Sequence, residues 1–335
     1  MTRQPSNHPA TTDQQLQGRS TAGQHDAAGE LNAVRERYLS ALDAFTAKVQ
    51  QDRTILAAIV YGSLAYDTVW AKSDIDILLV SRDERDADRD YYLVENGINF
   101  HVAVGSRLRF KALLERALGG SFTHSLLGRS RLLFTRDETL REYYEEATHL
   151  GAHDREVQLL RAGANLLGVL AKAEKWLYVK HDIPYSCLWI MFALQPLATI
   201  EVLLNGGIPG REVVPQALAY NPSFFRSIYI DLIQQPADEA AVRAALGQID
   251  TYLTDKHLLL FAPILRYLSE ADGARSVSEL DLYFKKRAQV NSLGFAYEWL
   301  ADRGVLRKLS TPVRMTRKSS VFMDEAAYYY DGDAA

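Results

Sequence analysis

Cysteine is nearly missing from this chain. Cys187 stands alone among 335 residues, which excludes internal disulfides and cysteine-ligated metal centres and suits a reducing cytoplasm. Charge of one sign is lacking too. With 38 basic and 42 acidic side chains the net charge is −4, so nucleic-acid binding has no global electrostatic basis, only a local one. No apolar run is expected to reach transmembrane length, and the first residues lack the apolar core of a signal peptide; a cytoplasmic protein without membrane contact is expected. What remains is 47% apolar and 24% charged residues, the balance of a soluble protein with sizeable cores, in a chain long enough for two or three domains.

The most informative stretch is residues 61–80. An apolar run from Ile55 to Tyr61 delivers Gly62-Ser63, and ten residues later Asp74-Ile75-Asp76 opens a second apolar run from Ile77 to Val80. Both runs are short and rich in Ile, Val and Leu, as buried strands are. Side chains alternate along a strand, so Asp74 and Asp76 are expected on one face while Ile75 and Ile77 enter the core. Neighbouring carboxylates repel, and a divalent cation between them removes that difficulty; hard oxygen ligands suit Mg²⁺ or Mn²⁺ carrying nucleotide phosphates. Gly62 permits a tight turn, and Ser63 offers a hydroxyl and an N–H at an expected helix start, where anions are welcome. Two solvated aspartates on a hairpin edge are the plainer alternative.

This pattern resembles the DNA polymerase β-like nucleotidyltransferase superfamily, in which Gly-Ser precedes a hydrophobically flanked Asp-x-Asp by about ten residues. Gly62, Ser63, Asp74 and Asp76 fall on that signature, with Ser73 in the small polar place before the first Asp. The resemblance implies a Mg²⁺-dependent transfer of a nucleoside monophosphate from a nucleoside triphosphate, ATP being the expected one, to a hydroxyl. Most such sheets carry a third carboxylate on a later strand. The matching strand here is Gly97 to Val104, whose polar face offers Asn99 and His101 and no acid. His101 is then a nitrogen ligand or base, or else a neutral histidine beside the cleft; Glu95 is the fallback if the register slips. Kanamycin-type aminoglycoside nucleotidyltransferases are similar in this segment and in a helical second domain containing Lys-Trp. That likeness nominates Lys175 as a phosphate contact, with Lys172 three residues earlier on the same helical face. The glutamate base of that family, four residues before the lysine, is Ala171 here.

The expected architecture is α+β. Residues 1–28, with almost no large apolar side chain, are expected to be disordered. Residues 29–150 form a small mixed-sheet nucleotidyltransferase domain. Residues 151–270 read as a helical bundle; Leu258 to Leu268, Val277 to Lys286 and Ser292 to Arg303 read as three short helices followed by two strands, the order of a winged helix-turn-helix, assigned to residues 271–335. Arg307, Lys308, Arg314, Arg317 and Lys318 make residues 305–320 basic, as a DNA-contacting wing would be. Acidic neighbours on the preceding helices favour packing, or contact with a protein or a second copy, over groove reading.

Two functional classes emerge. One is an enzyme acting on a nucleoside triphosphate with a small molecule or protein as acceptor. The other is a catalytically degenerate nucleotide sensor or DNA-binding regulator, to which the missing third acid and the tail both point.

Overall fold

The structure, a computed structural model, describes residues 13–65, 69–82, 89–118, 128–148, 152–234, 238–316 and 318–332. The chain divides into two units, Met1–Ala112 with Arg129–Tyr143, and Leu113–Gly128 with Tyr144–Ala335.

The first unit is built on helix α1 (Asp13–Val49) and strands β1 (Ile55–Tyr61), β2 (Ile75–Ser81), β3 (Arg89–Glu95), β4 (Ile98–Ser106) and β5 (Arg131–Thr135). Residues 13–28, expected to be disordered, are instead the first turns of α1; Gln, Ala and Leu have high helix propensity, and residues 1–12 lie outside the described residues. The sheet runs β3-β4-β2-β1-β5. Only β2 and β4 are parallel, so the sheet is mixed. Tyr38, Leu42 and Phe45 recur at helical spacing on α1 and bury against Ile75, Ile77, Phe100 and Val102. Phe45 stacks on Phe100 at 4.6 Å. This side of the sheet is apolar, which leaves the alternate residues of β2 and β4 for chemistry.

Helices α2 (Arg107–Leu118) and α3 (Glu138–Thr148) each begin in the first unit and end in the second, and α4 (Ala152–Glu174) follows, ending in a π-helical turn, Lys175–Val179. The turn is closed by the Lys180 N–H donating to the Lys175 carbonyl. Helix α5 (Ile183–Leu204) starts on Asp182, whose carboxylate accepts from the Tyr185 N–H. Its length and mean hydropathy of 1.8 suffice to cross a membrane, contrary to the expectation that no run would. Yet 56% of that window is buried inside the protein, and Ile190, Leu197, Ile200 and Leu203 are fully enclosed. Helices α6 (Val213–Tyr220), α7 (Pro222–Phe225), α8 (Asp231–Gln234), α9 (Glu239–Leu260) and α10 (Ala262–Ser269) complete the bundle, with a second π-helical turn at Arg226–Ile230.

Glu201 of α5 is a buried acid in this core. The Tyr252 hydroxyl donates to it at 2.8 Å, and the Asn205 amide donates at 3.0 Å. Burial first, then the Glu201 charge, pushes the Tyr252 phenol far above its ordinary range, so it stays a donor. Replacing Tyr252 by Phe withdraws one donor from a buried carboxylate and is expected to cost about 1–3 kcal/mol. A denaturant midpoint shows this, and an unchanged midpoint would mean that another donor satisfies Glu201.

The tail comprises β6 (Arg275–Ser276), α11 (Val277–Ala288), α12 (Gly294–Asp302), β7 (Arg307–Arg314) and β8 (Phe322–Tyr329), with sheet order β6-β8-β7. Ser276 and Glu279 close a reciprocal capping box on α11. Expected as a separate domain, the tail shares one hydrophobic core with the bundle: Leu280, Phe284, Leu293, Leu300 and Tyr328 join Val157, Leu166 and Phe261 in a single cluster.

Candidate active site

Register places the site. Tyr61 of β1 pairs with Asp76 of β2, Asp76 with His101 of β4, and His101 with Tyr92 of β3. Laterally paired residues share a face, so these four side chains form a row on the face opposite α1. His101 Nδ1 lies 3.4 Å from Asp76 Oδ1, and its Nε2 lies 3.8 Å from Asp90 Oδ1. Tyr92 stacks on the imidazole at 5.0 Å. The imidazole is therefore held between two carboxylates and under an exposed phenol ring.

Gly62 follows β1 with φ +75°, and a Cβ added there would lie 2.2 Å from Asp76 Oδ2. Both the backbone angle and the carboxylate demand glycine. The Ala65 N–H returns to the Gly62 carbonyl at 3.1 Å, so Ser63 sits half-exposed in a tight turn. The helix expected after Ser63 does not form among the described residues. Ser73 supplies a competing local network: its Oγ accepts from the Trp70 N–H at 3.2 Å, and its own N–H donates to the Trp70 carbonyl. Residues 66–68, with Tyr66 and Asp67, lie outside the described residues. The Ser73 hydroxyl thus shapes the linker, and its carbonyl accepts from the Tyr38 hydroxyl at 2.7 Å.

Strand β2 begins at Ile75, so Asp74 lies one residue before the stretch where alternation is enforced. Asp74 is exposed. Burial first, and next the Asp74 charge, raise the pKa of the Tyr38 phenol. Tyr61 is pushed up to about 12, by burial first and then by the charges of Asp76 and Asp90. Its hydroxyl therefore stays protonated at neutral pH near the Asp76 charge. Glu95 takes no part: it is on the other side of its strand and pairs with Lys48 of α1 at 2.5 Å.

Sequence reasoning missed three residues that flank His101 and Asp76: Tyr61, Asp90 and Tyr92. Asp90 and Tyr92 belong to β3, which was not expected as a strand. Its signal was present in Asn96-Gly97, with φ of +50° and +75°, the two-residue turn that closes hairpins. Lys172 and Lys175 belong to the second unit, where both are exposed at the end of α4 and the start of its π-helical turn.

The donor set suits a hard divalent cation. Asp74 and Asp76 supply carboxylate oxygens, and among the described residues no three His, Cys, Asp or Glu side chains gather to enclose a metal. Mg²⁺ is commonly held in that way, by one or two carboxylates with substrate phosphates and water.

Residues 45–139 match the family described as polymerase beta, nucleotidyltransferase. No curated protein matches the chain. Among solved structures, a nucleotidyltransferase-like protein from Exiguobacterium sibiricum 255-15 is similar with a TM-score of 0.58 at 16% identity, over 87% of this chain and 99% of that one. At that identity the likeness concerns the fold.

Proposed function

We propose, from the match of residues 45–139 to the polymerase beta nucleotidyltransferase family, that the protein transfers a nucleoside monophosphate from a nucleoside triphosphate, ATP first, to a hydroxyl of a small molecule or protein. The observation that carries this reading is the Tyr61–Asp76–His101 row beside Gly62, where a missing Cβ leaves room for the Asp76 carboxylate. Asp74 and Asp76 would hold Mg²⁺ or Mn²⁺, which when bound supplies neutralisation of the triphosphate charge and of charge developing at the α-phosphoryl group. The chain's own residues do the rest. Gly62 and Ser63 bring backbone close to the phosphates. Tyr61 keeps a protonated hydroxyl at the row's inner end. His101, between Asp76 and Asp90, is placed to accept the proton of an incoming hydroxyl at a ring nitrogen. Tyr92 offers an aromatic face for a base or acceptor ring.

A nucleotide sensor is the second reading, favoured by one specific observation: β4 presents His101 where an acid was expected, and Asp90 comes from an exposed edge strand. In the tail, the order helix, strand, helix, helix and hairpin supports a winged helix. A DNA-reading wing gains little support, since Lys308 pairs with Glu298 at 2.7 Å, Arg307 lies 3.6 Å from Asp331, and Arg314 covers Phe322. Arg317 lies outside the described residues.

Calorimetric titration of the full chain with MgATP and the other triphosphates, followed by a pyrophosphate-release assay across candidate acceptors, tests the proposal. Saturable binding with release is expected. Binding without release for every acceptor selects the sensor, and no binding of any triphosphate removes both readings.

A further inference from the structure

Helix α4 buries leucines on most of its surface, yet Gln158, Arg161, Asn165 and Gly168 recur at spacings of three, four and three, which makes one polar stripe. Two adjoining cavities open along it. The larger, about 420 Å³, lies between Arg161, Asn165 and Gly168 and the loop residues Gln289, Asn291 and Ser292. The smaller, about 180 Å³, lies between Gln158, Arg161 and Asn165 and the α5 residues Gln195 and Thr199. Arg161 and Asn165 line both. Together they reach the size range of small-molecule sites.

The chemistry of the walls is one-sided. Neither cavity is lined by a carboxylate, whereas both are lined by the Arg161 guanidinium and by side-chain amides. Among the described residues Gln158 Nε2 is buried with no hydrogen-bond partner, and such a donor costs about 1–3 kcal/mol until an acceptor reaches it. Burial lowers the pKa of Arg161, the mark of a guanidinium drawn out of water. Gln289, φ +53°, ends α11 as its left-handed C-cap, and in the loop Ser292 has φ +61° without being glycine. Each such residue costs on the order of 1 kcal/mol, and such conformations gather at binding sites. Arg161 Nη2 fixes the loop by donating to the Ala288 carbonyl at 3.2 Å.

We infer that the α4 stripe and the Gln289–Ser292 loop form a binding site, built from none of the sheet-site residues, for the oxyanion group of a small molecule. Arg161 is its charge anchor, and the Gln158 and Asn165 amides are its hydrogen-bond donors. The group is a carboxylate or a phosphate, since a planar guanidinium fork fits either. An occupant would tie α4 to the α11–α12 loop and so stabilise the second unit.

The full chain is titrated in metal-free Tris chloride with inorganic phosphate and separately with citrate, by calorimetry and thermal melting. A saturable one-site isotherm with at least one probe is expected, and a matching rise in melting temperature. Arg161→Gln and Asn165→Asp should each weaken it tenfold or more. The second places a fixed negative charge at an exposed position, so it decides the matter even if loss of the Ala288 contact loosens the first variant. A response to phosphate alone assigns phosphate esters; one to citrate alone assigns carboxylates. Absence of saturable binding by both probes overturns the inference, as does an equal melting shift from sodium chloride at matched ionic strength, or affinity unchanged in the Asp variant. The sheet site is left intact in both variants, so triphosphate binding reports on it independently.

Discussion

Replacing Asp74 and Asp76 together by Asn should abolish the stabilisation that MgATP gives the protein while leaving the metal-free fold as stable as before. Both side chains are at least partly exposed, and neither supports the core. Removing two neighbouring like charges is neutral or mildly favourable without a counter-ion. A ligand present at a hundred times its dissociation constant stabilises the native state by about 2.7 kcal/mol. Loss of that increment is easily read in a thermal melt with and without MgATP. A double variant that keeps the wild-type shift would place the nucleotide somewhere else.

Gly62→Ala is expected to damage both the site and the fold. A Cβ at φ +75° costs about 1–2 kcal/mol by itself. The new methyl would also stand 2.2 Å from Asp76 Oδ2, which requires either the turn or the carboxylate to move. A rotated Asp76 leaves its lateral partner His101, so the nucleotide response should vanish along with roughly 1–3 kcal/mol of stability. Denaturant midpoints and the MgATP shift measure the two effects separately. Wild-type nucleotide binding in this variant would show that the Gly62–Asp76 approach is not part of the site.

How much of this was legible in the sequence depends on how local each signal is. The strands flanking Gly62 and Asp76 could be read because burial enforces an apolar run on each, and Ile75 and Ile77 are fully enclosed. Strand β3 could not be read that way, since nearly all of it is exposed and its pattern has no buried face to betray it. Only the Asn96-Gly97 turn announced it, and with it went Asp90 and Tyr92. The linker after Ser63 was misjudged because a helix was expected to start at Gly62-Ser63, whereas Ser73 holds the chain in turns through its own side chain. The common core of bundle and tail was hidden for a different reason. Phe261 packing toward Trp299 at 5.9 Å joins residues far apart in sequence, and no periodicity records such a meeting.

The position of β3 at the end of the sheet has a further consequence, for motion. Asp76 and His101 stand on β2 and β4, each flanked by strands on both sides, so they move only when the centre of the sheet opens. Asp90 and Tyr92 stand on a strand bonded along one edge alone, and such strands open at far lower free energy than the interior. The site accordingly has a stiff half and a yielding half. Whatever enters above His101 meets a floor that is fixed and a wall that can give way.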